Sequence, residues 1–160
     1  MNLNNNYNNL ESDLNKLFKS LNINNKNIFI TCNLEKLGKL KIPKTKKVNC
    51  LYEMLTKNIP DDFTIFVPTP TLNLCNTNIP FDKENTKSHN ASAFAELIRN
   101  KSNAIRSSHP FWSVAGLGKK SKLLSSISKH AYGAGSIWSK LLDIDCLQIN
   151  FGMHPSKAVT

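Results

Sequence analysis

The sequence predicts an α/β fold in which helices alternate with short apolar strands. Two amphipathic helices are indicated at 10–21 and 48–55, where leucines and other apolar residues recur at helical spacing. Three short apolar runs bounded by polar residues or proline indicate strands at 27–31, 63–67 and 145–151. Because a helical stripe and a strand each bury one apolar surface against another element, this alternation is typical of layered α/β domains.

The first half of the chain divides into a short polar N-terminal segment and the start of a domain. Residues 1–9 are rich in asparagine and are expected to be disordered, whereas residues 10–160 are expected to form a single domain. Residues 33–47 contain a glycine, a proline and many lysines, which predicts a loop before the second helix. The strand at 63–67 is closed by Pro68, and residues 68–91 lack periodicity, which is typical of long functional loops.

The second half carries weaker patterns. Apolar residues at helical spacing predict helices at 92–99 and 118–129, with a polar loop at 100–113 between them. The final strand, at 145–151, alternates in polarity and ends at Gly152. No internal repeat interrupts this order, so one layered domain accounts for the whole pattern.

The formal net charge is +10, but the amino-acid composition behind this charge makes it weak evidence for a nucleic-acid partner. Nineteen of the 21 basic residues are lysine and 22 residues are asparagine, a bias that AT-rich codons alone produce. The lysines are scattered and form no stripe, so nucleic-acid binding ranks last among the possible functions. The charge does fit a ligand that carries phosphates.

Metal binding, disulfides and membrane insertion are not indicated. The four cysteines (Cys32, Cys50, Cys75 and Cys146) form no close pair, so no zinc site or disulfide framework is expected. No apolar run approaches the length of a membrane span, and the first residues lack a signal-peptide pattern. We therefore expect a cytoplasmic protein without a membrane partner.

Four stretches carry a family resemblance. They read NIFITCNLEKLG (27–38), TIFVPTPT (64–71), RSSHPFWSVAGLG (106–118) and YGAGSIW (132–138). In this order they resemble the aminoglycoside 3-N-acetyltransferase family, and the third stretch, with its Arg-Ser-x-His-Pro-x-x-Ser-Val pattern, is the most specific. The first stretch departs from the family, because Thr31-Cys32-Asn33-Leu34 occupies the place of a His-Ser-Ser-Leu loop.

The resemblance implies a fold and a reaction. The fold is three-layer α/β/α with a central mixed sheet, incomplete in this chain. The reaction moves an acetyl group from acetyl-CoA to an amine of an aminoglycoside or a related amino sugar. In the family a Thr-x-x-His-x-x-Glu motif follows the last strand, and the sequence ends at Thr160, where the threonine of that motif would fall. The catalytic residues are therefore expected beyond Thr160, and the chain is expected to be a fragment.

The resemblance also implies binding residues. Seven are expected to contact acyl-CoA: Asn33, Leu34, Gly38, Ser108, His109, Ser113 and Val114. Asp82 is expected to hold a cationic amino sugar, although a residue of this type also serves as a turn residue. Arg106 and His109 have a structural alternative, in which they tie their loop to the sheet. Glu96 and Arg99, three residues apart on one helix, favour an ion pair over a site.

Two functions remain open at this point. The first is an N-acetyltransferase, and the second is an inactive truncated remnant that binds CoA or serves only as a structural or interaction module. The acceptor amine and the oligomeric state do not follow from the sequence.

Overall fold

The computed structural model describes residues 3–21, 23, 27–36, 43–60, 62–154 and 156, with side chains from Asn9 onward. The helices are α1 (Leu3–Ser20), α2 (Lys44–Asn58), α3 (Ala93–Arg99) and α4 (Ile137–Asp143), and the strands are β1 (Ile28–Cys32), β2 (Thr64–Pro68), β3 (Ile105–Arg106), β4 (Val114–Gly118) and β5 (Leu147–Phe151). Short 3-10 segments lie at Leu34–Lys36, Leu72–Leu74 and Lys119–Ser126. No helix in this described part is long and apolar enough to cross a bilayer.

The five strands form one mixed sheet in the order β3-β4-β2-β1-β5. Strand β1 runs parallel to β2 and β5, whereas β4 runs antiparallel to β2 and β3. The carboxyl ends of β1, β2, β3 and β5 therefore lie at one edge of the sheet, together with the amino end of β4. We call this edge the carboxyl edge. Within the described chain β3 and β5 are edge strands, so the sheet is open.

Two apolar layers cover the two faces of the sheet. Alternate residues of β1 separate them, because Ile28 and Ile30 pack with α1 and α2 while Phe29 packs with α4. The helix α3 joins the first layer, and the 3-10 segment Lys119–Ser126 joins the second through Leu124. Each fully buried apolar side chain contributes about 1.5–3 kcal/mol. The predicted α/β fold with a central mixed sheet between two layers is confirmed.

Several elements differ from the sequence-based prediction. The helix α1 begins at Leu3, so the backbone at 3–9 is helical where disorder is expected. Its apolar period in fact starts early, since Leu3, Tyr7 and Leu10 are four and three residues apart. The strand β3 replaces part of the loop predicted at 100–113, and β4 is not predicted. Residues 119–126 form a 3-10 segment in place of an α-helix. The short helix α4 is not predicted at all.

Glycines explain why β4 escapes the sequence pattern. A Cβ on Gly116 would lie 2.9 Å from the ring of Phe66 on the neighbouring strand, so the missing side chain makes room for that ring. A Cβ on Gly118 would lie 2.1 Å from the carbonyl oxygen of Phe63, and the φ of Gly118 is +129°. Glycine is depleted in strands, and a pattern based on apolar alternation therefore misses this one.

A single buried side chain, Arg106, ties the long loop at 69–92 to the sheet. Its Nε donates to Thr69 Oγ1 (3.2 Å) and Ser113 Oγ (3.0 Å), and its Nη2 donates to the Thr69 carbonyl (2.8 Å). Its Nη1 donates to the carbonyl oxygens of Lys83 and Thr86, farther along the same loop. The ring of Phe81 lies 5.0 Å from the guanidinium carbon.

The charge of Arg106 is retained in spite of its burial. Burial, followed by the nearby charge of Arg99, lowers the pKa of Arg106 to about 10, which is still far above neutrality. A buried cation without hydrogen-bond partners would be strongly destabilising, and the carbonyl and hydroxyl oxygens around Arg106 offset that cost. The structural alternative for Arg106, a tie between loop and sheet, is confirmed.

Replacing Arg106 with lysine tests the tie. Lysine keeps the charge but not the planar fork of donors, so we expect the free energy of unfolding in urea to fall by about 2–3 kcal/mol. Protease cleavage within 72–92 should become faster, because the loop loses its anchor. The control is Lys16→Met, which removes an exposed ion pair with Asp13 (3.8 Å) on α1, away from the loop. It should cost about 1 kcal/mol or less, and equal losses in the two variants would contradict the assignment.

Candidate functional site

A cleft of about 550 Å³ opens at the carboxyl edge of the sheet. One wall is the end of β1 and the residues after it, 31–35. The opposite wall is the segment that leads into α3, residues 90–93, and Pro68 and Pro70 lie between the two walls. Met153, beyond β5, and Lys44, at the start of α2, complete the lining. Ligands of open α/β sheets bind outside the carboxyl ends of the strands, and this cleft occupies such a position.

Local hydrogen bonds hold the two walls together. Cys32 Sγ lies 3.3 Å from Ser92 Oγ, across the cleft floor. Ser92 also caps α3, because its hydroxyl accepts from the backbone N–H of Ala95 (3.0 Å). Burial raises the pKa of the Cys32 thiol, so the thiol is protonated and unreactive at neutral pH. Asn90 has a φ of +58°, a conformation that asparagine tolerates better than most residues.

Two of the predicted binding residues line the cleft. Asn33 is half-buried, and its side-chain oxygen accepts from the backbone N–H of Glu35 (3.2 Å), which shapes the turn after β1. Leu34 is buried and contributes an apolar wall. Gly38, predicted to act with them, lies outside the described residues.

The remaining acyl-CoA candidates lie on the hairpin that joins β3 to β4, residues 107–113, and at Val114, the first residue of β4. This hairpin emerges at the same carboxyl edge, and it pairs with the loop that lines the cleft: the N–H groups of Thr69 and Thr71 donate to the carbonyls of Ser113 (2.9 Å) and Phe111 (3.1 Å). Thr71 Oγ1 also donates to the carbonyl of Pro110. The hairpin therefore lies directly behind Pro68 and Pro70, although Ser108 and His109 do not line the cleft itself.

His109 has a defined protonation state. Its Nδ1 accepts from the backbone N–H groups of Phe111 (3.2 Å) and Trp112 (3.1 Å). Since Nδ1 is an acceptor, the neutral ring carries its proton on Nε2, which is then a donor. Burial lowers the pKa of His109, which favours this neutral form at pH 7. Ser108, beside it, is exposed.

Ser113 and Val114 are buried where the hairpin enters β4. Ser113 Oγ contacts Arg106 and Thr69, and Ser113 lines a small space of about 10 Å³ together with Trp112 and Trp138. Val114 packs in the second apolar layer, and its backbone N–H donates a hydrogen bond to Ser107 Oγ (3.0 Å). Ligand contact at these two residues stays a prediction, while their observed contacts hold the hairpin in place.

Asp82 lies on the loop that Arg106 anchors, and it is exposed. One carboxylate oxygen accepts from the N–H groups of Glu84 (2.8 Å) and Asn85 (3.1 Å), and the other accepts from the side-chain amide of Asn85 (2.8 Å). These bonds, the amide of Asn85 first, lower the pKa of Asp82. The turn role is therefore present in the structure, and the carboxylate is fully ionised at neutral pH. Asp82 is not part of the cleft lining.

Several cleft residues carry no sequence signal that singles them out. Pro70, Asn90, Ala91 and Lys44 reach the cleft only because the fold brings three separate loops to one edge. The aperiodic stretch 68–91 is a general indication of a functional loop, but it does not specify which of its residues face a ligand. Within the described residues no group of His, Cys, Asp and Glu side chains is arranged to hold a metal ion.

Solved structures share this fold over part of their length. The structure titled AAC-VIa bound to sisomicin has a TM-score of 0.71 and 18% identity, and the match covers 92% of this chain and 61% of that one. The apoenzyme of aminoglycoside acetyltransferase AAC(3)-IVa has a TM-score of 0.73 and 15% identity, over 92% and 56% of the two chains. For AAC-IIIb in a binary complex with CoASH the TM-score is 0.65 and the identity 16%, over 83% and 55%.

This chain therefore spans between about half and three fifths of the length of the structures that it matches. No curated protein matches the sequence significantly. A family model described as aminoglycoside 3-N-acetyltransferase matches residues 29–158, which is most of the chain and includes the cleft and the hairpin. This chain belongs to the aminoglycoside 3-N-acetyltransferase family.

Proposed function

We propose that this chain binds acetyl-CoA in the cleft and forms the donor side of an N-acetyltransferase whose acceptor is an amine of an aminoglycoside or a related amino sugar. The observation that carries the proposal is a cavity of about 550 Å³ at the carboxyl edge, between the turn after β1 and the start of α3. Family membership supports it, as does a relative of the same fold whose title includes CoASH.

Each residue that is predicted to contact acyl-CoA has a distinct role in this proposal. Asn33 and Leu34 contact the pantetheine arm from the cleft wall, with Gly38 in the same segment. From the hairpin, Ser108 and the Nε2–H of His109 donate hydrogen bonds to carbonyl oxygens of acetyl-CoA. A hydrogen-bond donor directed at the thioester oxygen stabilises the negative charge that develops there when the amine attacks. Ser113 and Val114 keep the hairpin in register through their buried contacts.

The acceptor amine needs a base and a cation-binding group. An amine is largely protonated at neutral pH and becomes a nucleophile only after it loses a proton. We assign that proton transfer to the histidine of the family's Thr-x-x-His-x-x-Glu motif, which does not occur in this sequence. Asp82, ionised and exposed on the anchored loop, is proposed to attract a second ammonium group of the amino sugar.

One observation favours a second candidate, a module that binds CoA without transferring the acetyl group. Among the described residues, the cleft lining contains no histidine. Release of the free CoA thiol from acetyl-CoA in the presence of sisomicin separates the two candidates. A transferase releases thiol in proportion to acetylated product, and a binding module releases none while still binding CoA.

Binding of CoA should stabilise the chain. At a CoA concentration 100-fold above the dissociation constant the gain is about 2.7 kcal/mol, which raises the melting temperature of a chain of this size by about 5–10 °C. Ala91→Leu, which places an isobutyl group in the cleft, should reduce the shift at that concentration to half or less. The matched control is Ala104→Leu, which lies before β3 at the opposite edge of the sheet. No shift for the wild-type chain, or equal shifts in the two variants, would contradict the cleft assignment.

The protonation state of His109 predicts a pH dependence of stability. The pKa of His109 is lowered from 6.5 in the folded chain, so the unfolded chain binds more protons between that lowered value and 6.5. The contribution to stability is complete above pH 6.5 and is lost as the pH falls through the folded-state pKa, because protonation of Nδ1 removes an acceptor from two N–H groups. In urea unfolding between pH 7 and pH 5, His109→Gln should lose less stability than the wild type. If the free energy of unfolding fell equally in the wild type and in His109→Gln between pH 7 and pH 5, the assigned protonation state of His109 would be contradicted.

A further inference from the structure

The loop that precedes α4, residues 128–136, carries a row of backbone donors. We call it the glycine loop. It follows the 3-10 segment that packs in the second apolar layer, and it leads into α4, which packs in the same layer. The N–H of Ser128 donates to the carbonyl of Gly135 (2.9 Å), which closes the loop. Within the described part of the chain, the N–H groups of 131–135 have no acceptor. They therefore remain available to a ligand.

The backbone of the glycine loop has the form of an anion-binding turn. The φ angles of Gly133 and Gly135 are +87° and +76°, whereas that of Ala134 between them is not positive. Such an alternation turns successive N–H groups toward one side, and the resulting concave set of donors binds anions. The space beside Gly133 is open, because a Cβ built there would meet no atom within 4 Å. An anionic group can therefore approach the row of donors.

The charge around the glycine loop also favours an anion. Residues 99–142, which include the hairpin and the glycine loop, contain eight lysine and arginine residues and no aspartate or glutamate. Lys129 and His130 are exposed in the loop itself, and Lys129 has no carboxylate partner among the described residues. The next carboxylates along the chain, Asp143 and Asp145, lie where α4 passes into β5, at the opposite edge of the sheet. Positive charge without a neighbouring anion attracts a phosphate.

Aromatic contacts place the glycine loop beside the hairpin. The ring of Tyr132 is stacked on that of Trp138, with centroids 6.5 Å apart and planes 17° apart, and its centroid lies 6.5 Å from that of Trp112 on the hairpin. The backbone N–H of Trp112 in turn donates to Nδ1 of His109 (3.1 Å). Tyr132 is 55% exposed, so part of its ring is open to a ligand. An aromatic surface beside a few polar donors suits a sugar ring with a polar substituent.

We propose that the glycine loop binds a phosphate group carried by the acceptor, so that this chain prefers phosphorylated amino sugars among its acceptors. The inference rests on the proposed function, because that function places the thioester beside the hairpin. The N–H groups of 131–135 and the ammonium of Lys129 bind the phosphate. Tyr132 packs against the sugar ring, and the amine of the sugar then faces the hairpin.

Binding of four probes to the isotope-labelled chain, followed by its amide NMR resonances, tests the inference. The probes are glucosamine 6-phosphate, glucosamine, inorganic phosphate and CoA. Glucosamine 6-phosphate should shift the amide resonances of 131–135 and should bind at least about tenfold more tightly than glucosamine or inorganic phosphate, because it engages both the donors and the aromatic ring. CoA should leave these resonances in place.

Substitutions of Lys129 separate its charge from the fold. Lys129→Met should weaken glucosamine 6-phosphate about fivefold and leave the affinity for CoA within about twofold of the wild type. Lys129→Arg, which keeps the charge, should bind glucosamine 6-phosphate within about twofold of the wild type. The matched control is Lys122→Met, an exposed lysine in the 3-10 segment on the same face of the sheet, and it should change neither affinity beyond about twofold. An unchanged melting temperature of each unliganded variant verifies that it is folded.

The outcomes distinguish this inference from the proposed function. If the wild type binds CoA but glucosamine 6-phosphate shifts no resonance in 131–135, the inference is overturned and the proposed function stands. Inorganic phosphate that binds as tightly as glucosamine 6-phosphate, or CoA that shifts these resonances, would also overturn it, since the loop would then recognise no acceptor. Equal losses in Lys129→Met and Lys122→Met would have the same consequence. If the wild type binds glucosamine 6-phosphate at the loop but does not bind CoA, the proposed function falls and the acceptor assignment falls with it.

Discussion

The arrangement of the site depends on a charged side chain buried at the edge of the sheet. Arg106 ends the two-residue strand β3, and its guanidinium reaches Thr69 after β2, Ser113 before β4 and the carbonyls of Lys83 and Thr86. The long loop has few apolar anchors between 75 and 90, where most residues are exposed. Fixing such a loop costs backbone entropy, and directed hydrogen bonds to a cation are among the stronger means of offsetting it.

Strand direction explains why the segments that Arg106 holds together also form a site. Because β1, β2, β3 and β5 point the same way, the segments that follow them converge at one edge, and the antiparallel strand β4 begins there. The hairpin 107–113 thus meets the loop 69–71, which lies beside the cleft wall at 90–93. Residues that are far apart in the chain, such as Thr31 and Met153, therefore line one cavity.

The sequence predicts the parts of this fold whose patterns are local. The strands β1 and β2 and the helices α2 and α3 follow from short apolar runs and helical periods, and Ser92 is a conventional helix cap. By contrast β4 depends on Gly116 meeting Phe66 across the sheet, which is a tertiary contact without a local signal. The same holds for the cleft: resemblance leads to Asn33 and Leu34, whereas Pro70 and Ala91 reach it only through the folded loop. Ser113 and Val114 are buried, and their observed contacts hold the hairpin in place, while their contact with acyl-CoA stays a prediction.

Hydrogen–deuterium exchange with and without CoA tests the central claim, that CoA binds at the carboxyl edge that Arg106 holds in place. Ligand contact and tighter loops slow amide exchange in the segments involved. The account predicts slower exchange at 31–35, 90–93 and 107–113, and unchanged exchange in the 3-10 segment Lys119–Ser126 on the other side of the sheet. Unchanged exchange in all three segments at a CoA concentration that saturates binding, or protection confined to the opposite face, would contradict it.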